Sequence, residues 1–157
     1  MESNGAGSLQ ARAQARREVL LDRQTTRLEV PGYEGILEVE YRAMTYAEGR
    51  KINARHERQR DEATREIYTA ADQLIAASVN AYEITPEGAK ELNVGWGPAL
   101  AKMLGIDVEG LTVRQAVLAC FTRDTFLTRH WAEYVEWLSS AEADVDEEQA
   151  ADFSPTT

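Results

Sequence analysis

Two histidines and one cysteine are the residues of this chain with the most obvious chemical potential, and their spacing argues against using it. His56 and His130 are far apart, each alone within a helically patterned stretch. His130 has Cys120, Asp124 and Glu133 as sequence neighbours, but a histidine inside an aromatic helix face is expected to be a packed core residue. Cys120 falls on the same stripe as Val113 and Val117 with no adjacent base, which predicts an inert buried thiol. A single cysteine makes neither an intrachain disulfide nor a thiolate cluster. Gly95-Trp96-Gly97 is the nearest approach to a phosphate-binding glycine loop, and the following Pro98 makes it a break before a helix. Asp144-Val145-Asp146-Glu147-Glu148 lacks the glycine and the spacing of a calcium loop. Gly-x-Ser-x-Gly and Ser-x-x-Lys nucleophile motifs do not occur. The expectation is a protein with no catalytic residue, no metal and no cofactor, whose function rests on its surfaces.

Two features could serve as such a surface. Phe126, Leu127, His130, Trp131, Tyr134, Val135 and Leu138 form a wide apolar arc at helical spacing, with Trp137 beside it. A wide arc on a short helix implies deep burial or a partner, so Phe126, Trp131 and Trp137 are candidate partner-binding residues. The second feature is the acidic end. From Ser140 to Thr157 there are six acids and no Lys or Arg. Glu142, Asp144, Asp146, Glu147 and Glu148 are candidates for meeting a basic partner, with Phe153 as a docking anchor, although a solvated tail is the plainer reading.

Charge and composition limit the partners. The formal net charge is −10, from 17 Lys plus Arg against 27 Asp plus Glu, which repels a phosphate backbone unless a local basic patch overrides it. Arg50 to Arg65 is Arg-rich, but Glu57, Asp61 and Glu62 bring it near neutrality. The polar, Gly-containing start and the absence of a long apolar run predict a cytosolic protein without a membrane span.

These candidates must be held by a single domain over residues 25–139, between a flexible or marginally helical segment 1–24 and an acidic, disordered tail 140–157. Leu28 and Val30, then Leu37, Val39 and Tyr41, alternate with charged residues around Pro31-Gly32, predicting a β-hairpin. Thr45 and Glu48 form a capping box opening a helical pattern that runs to about Tyr82. Roughly 37 helical residues would span about 55 Å, so this helix must break in its polar half or project, with Gly49 a candidate break. Residues 83–97 read as loop. Short helices follow at Ala99 to Leu104, ended by Gly105, and after Thr112, and a strong one runs from Arg123 to Ser139. Trp131, Tyr134 and Leu138 are expected to bury against the Val113 to Phe121 helix. The fold class is α+β, predominantly α-helical: a small N-terminal hairpin packed on four or five helices.

The order of elements carries a resemblance. A Leu-x-Val-Pro strand (Leu28 to Pro31) precedes a strand running into Tyr41-Arg42-Ala43-Met44-Thr45-Tyr46-Ala47-Glu48 and a long polar helix. Phe121-Thr122-Arg123-Asp124-Thr125-Phe126-Leu127 then leads into His130-Trp131-Ala132-Glu133-Tyr134-Val135-Glu136-Trp137 and the acidic tail. Over roughly Arg27 to Phe153 the chain resembles the tail assembly chaperones of long-tailed (siphovirus-type) actinobacteriophages. The resemblance implies a protein that binds the phage tape measure protein, keeps it soluble and helps tail tube subunits assemble around it. It also implies a place in the host cell cytoplasm and absence from the mature virion. Many members of that family have a frameshift-extended form. Self-association into a homo-oligomer stays open. The alternatives are a virion structural protein, such as a tail-completion or head–tail connector subunit, and, third, a DNA-binding regulator.

Overall fold

The computed structural model describes the backbone of residues 4–153 and the side chains of residues 8–19 and 24–141. Among the described residues, six helices and a four-stranded antiparallel sheet make it an α+β protein. None of the described helices is long and apolar enough to cross a membrane.

Alternation builds the first two strands. β1 (Thr25–Glu29) and β2 (Leu37–Arg42) pair from Thr25↔Arg42 to Glu29↔Glu38. Leu37, Val39 and Tyr41 are buried on one face, while Glu38, Glu40 and Arg42 lie on the other. The turn between the strands places Gly32 and Gly35 at positive φ. This hairpin is only half of the sheet, whose order is β1-β2-β3-β4, with β3 at Ser78–Thr85 and β4 at Gly88–Glu91. The helix expected through Tyr82 therefore ends at Ala77, and the loop expected over 83–97 contains a strand. A central β2 has two rows of backbone donors and acceptors to satisfy, and β3 supplies the second. The β2–β3 register shifts between Glu40 and Tyr41, leaving Val79 exposed.

The long helix divides into α2 (Tyr46–Arg55) and α3 (Glu62–Ala77), broken over 56–61 and not at Gly49. Thr45 and Glu48 make both capping-box bonds at the head of α2. Only Ile52 is buried on α2, so a straight continuation would gain little; the turn lets α3 present Ala70, Ala71, Leu74 and Ala77 to the sheet. α4 (Pro98–Met103) begins on Pro98, and α5 (Val113–Cys120) carries a second capping box from Thr112 and Gln115.

The two terminal helices are longer than their apolar patterns. α1, the first helix in the chain, spans Asn4–Arg23, with its described side chains largely exposed. α6 spans Asp124–Phe153, beyond the Ser139 end that the apolar arc implies and into the segment expected to be disordered. Propensity accounts for both: the extensions are rich in Ala, Glu, Gln and Arg and contain no proline.

Candidate functional site

The position of each aromatic side chain of α6 follows from about 100° of rotation per residue. His130, Tyr134 and Leu127 form a central spine and are fully buried. Phe126 and Trp137 fall on one side of this spine, and Trp131 and Leu138 on the other. All four flanking residues are half-buried. α6 packs on α3 and runs beside β1, so its arc lies mainly against α3 and the sheet and not, as expected, against α5. Val113, expected in that contact, is 48% exposed.

At the spine a buried hydrogen-bond chain joins three elements. Trp96 Nε1–H donates to the Tyr41 hydroxyl at 2.5 Å, which lies 2.7 Å from His130 Nε2. The Tyr41 oxygen accepts from Trp96, and the hydroxyl and His130 Nε2 share one further hydrogen bond. His130 Nδ1 is buried without a hydrogen-bond partner, 4.0 Å from the Glu133 carboxylate. Burial lowers the His130 pKa to about 4 and raises that of Tyr41, so the chain is neutral near pH 7. Gly95 makes room for it. A Cβ there would stand 2.6 Å from Ser78 Oγ, the atom that accepts the Trp96 backbone N–H.

A second buried polar group is ionic. Arg114 of α5 grips Asp72 of α3 through two 2.8 Å bonds, and His56, just past α2, approaches the same carboxylate at 2.8 Å. Burial opposes the Asp72 charge, but the Arg114 and His56 contacts together outweigh it and hold the carboxyl below its ordinary pKa. The Arg114 guanidinium also lies over the Tyr68 ring at 4.7 Å. His56, read from sequence as solitary, thus belongs to a triad separated by 16 and 42 residues along the chain. No local pattern announces it. A His–Asp pair can orient a general base, yet no hydroxyl or thiol among the described residues bonds to His56, and Arg114 already occupies the carboxylate. The arrangement ties three helices together. Burial also raises the Cys120 thiol pKa to about 11. Among the described residues no group of three or more His, Cys, Asp or Glu could hold a metal ion.

The surface feature that best fits a binding role lies on the Trp131 flank. A depression of about 370 Å³ is lined by Asn53, Glu57, Arg65, Glu66, Thr69 and Trp131. A second, of about 170 Å³, also touches Asn53 and reaches Leu138, Met44 and the 80% exposed Tyr46. Gln73 stands between them, accepting from Trp131 Nε1 at 2.8 Å and donating to Asn53 Oδ1 at 3.1 Å. The two depressions share Asn53 and together make a grooved surface across α2, α3 and α6, divided by the Trp131–Gln73–Asn53 bridge.

On the opposite flank, the Phe126 ring lies 3.3 Å from where a Cβ on Gly32 would sit, with the guanidiniums of Arg123 and Arg129 near it. Trp137 packs against Tyr134. The three aromatic candidates are therefore not one patch: Trp131 faces the groove, and Phe126 and Trp137 face away from it. The side chains of Glu142, Asp144, Asp146, Glu147, Glu148 and Phe153 lie outside the described residues. Sequence reasoning missed Asn53, Thr69 and Gln73, polar helix residues that carry no signal until the helices are placed. No family model matches the chain, and no curated protein or solved structure is similar to it.

Proposed function

We propose that this chain acts by binding, as a phage tail assembly chaperone that holds the tape measure protein in solution in the host cytoplasm, assists tube assembly and leaves before the virion is complete. The phage assignment rests on the sequence resemblance. The observation supporting a binding role is the groove across α2, α3 and α6, with Trp131 on its wall and Tyr46 at its rim. An amphipathic helical segment of the partner suits such a groove, with apolar contacts to Trp131 and Leu138 and polar contacts to Asn53 and Gln73. Mass action then suffices: excess chaperone covers apolar segments until tube subunits displace it.

Co-expression with a tape measure protein tests the reading. The soluble fraction of the tape measure protein should rise with this chain present and co-purify with it. Trp131→Ala should reduce recovery about fivefold or more, as a groove anchor would, while costing the free protein only about 1–2 kcal/mol because the side chain is half-buried. Equal tape measure solubility with and without the chain, across expression levels, would defeat the proposal. Detection of the chain in purified virions by mass spectrometry would replace it with the structural-subunit reading.

A further inference from the structure

β1 is an edge strand, and what lies along its open side is unusually specific. Val30 N–H bonds to Leu37 O and Ala43 N–H to Gln24 O, so the even-numbered residues of this stretch turn their backbone groups toward β2. The backbone N–H and C=O of Thr25, Arg27 and Glu29 therefore face outward. Among the described residues no backbone hydrogen bond reaches these groups. Edge strands are commonly blunted by charge. Here the charges are of both signs. The Arg27 side chain is 43% exposed, 3.7 Å from Glu38 and over the Tyr82 ring, and Glu29 accepts the Gly35 N–H at 2.9 Å, so each charge at the open edge has only one-sided compensation.

α6 forms a shelf beneath this edge. Gln24 Nε2 donates to Ala141 O at 3.0 Å at one end of β1, and Phe126 packs under Gly32 at the other. The helix thus runs antiparallel to the strand along its whole length. α3 occupies the inner side of α6, and the Phe126 and Trp137 flank lies on the outer side.

From this arrangement we infer that the β1 edge pairs with β1 of a second copy of the chain, joining two sheets across a two-fold axis with the outer flanks of the two α6 helices meeting below. Charge selects the register. An antiparallel β1–β1 pair must set outward-facing residues opposite one another. Centred on Arg27 it opposes Arg27 to Arg27, and centred on Glu29 it opposes two glutamates. Centred on Leu28 it places Arg27 opposite Glu29 of the second copy twice, on the open face of the sheet, with Leu28 opposite Leu28 above the aromatic shelf. Only that register is complementary in charge and apolar at its centre. The interface uses the side of α6 away from the Trp131 groove and leaves the groove open, so it stands independently of the function proposed above.

Sedimentation velocity of the full chain should show a concentration-dependent dimer. Arg27→Glu and Glu29→Arg should each weaken it about tenfold or more, since each turns two attractive oppositions into repulsive ones. The double exchange restores the pairing and should restore the dimer, a result that a merely destabilising substitution does not give. Leu28 opposite Leu28 is a non-hydrogen-bonded pair with Cα atoms about 4.5 Å apart, within the span of a disulfide. Leu28→Cys should therefore form a covalent dimer under mild oxidation. A monomer at all accessible concentrations overturns the inference. A dimer indifferent to both charge reversals does so too, as does an edge that takes up an extended peptide of another protein while the chain itself stays monomeric.

Discussion

The two buried histidines are the same residue type in nearly opposite settings. His130 lies within the sheet–helix core, takes part in a chain of neutral groups and has one nitrogen unsatisfied. His56 lies at a three-helix junction beside an ionised carboxylate that also holds an arginine. The neutral chain gains its value from shape: it sets the α6 spine against β2. The ionic cluster gains its value from charge and tolerates partial exposure of Arg114. One constrains packing, the other joins helices.

The largest expected effect comes from breaking the neutral chain. Tyr41→Phe leaves both Trp96 Nε1 and His130 Nε2 without a partner in the core, at about 1–3 kcal/mol each. Urea unfolding should show a loss of about 2–6 kcal/mol with unchanged m-value; a loss under about 1 kcal/mol means the chain relaxes onto other partners. Acid sharpens the contrast by separating the two sites. The folded pKa of His130 lies below its unfolded value, so the unfolded state binds the extra proton between about pH 6.5 and 4. Stability should therefore fall across that window as pH drops, by up to about 3 kcal/mol, and His130→Gln should flatten it. The Asp72 carboxyl is shifted downward, so its contribution persists above pH 3.8 and is lost only below it. Melting temperature against pH should show two descents, the first absent in His130→Gln. The smallest effect is expected from Asp72→Ala. It strands His56 and Arg114 at a cost of about 2–3 kcal/mol, partly recovered because Arg114 can turn to solvent.

Local patterning made much of the scaffold legible. The alternation of Leu37, Val39 and Tyr41 and the Thr45–Glu48 box correspond to β2 and the head of α2. β3 was hidden because Ala77, Ala81 and Tyr82 continue the apolar stripe of Ala70 and Leu74; strand pairing with β2 is a long-range gain that overrides it. The end of α6 was hidden for the reverse reason, since propensity extends a helix where no apolar stripe remains. Of the candidate residues, the aromatic arc was visible by spacing, but its division into a groove flank and an edge flank depends on where α3 and β1 lie. The Asp72 triad was invisible because none of its members is close in sequence.

The latch at Ser78 has a consequence for the order of folding. Ser78 ends α3, starts β3, and accepts the Trp96 N–H, while Trp96 reaches back 55 residues to Tyr41. Such a distant closure gains nothing until α3 has stopped and β3 has docked on β2, whereas the hairpin of β1 and β2 closes over a short loop at small entropic cost. Trp96 is thus a clock for the final step of folding: its fluorescence should change last in a refolding trace, after the amides of β1 and β2 are already protected from exchange.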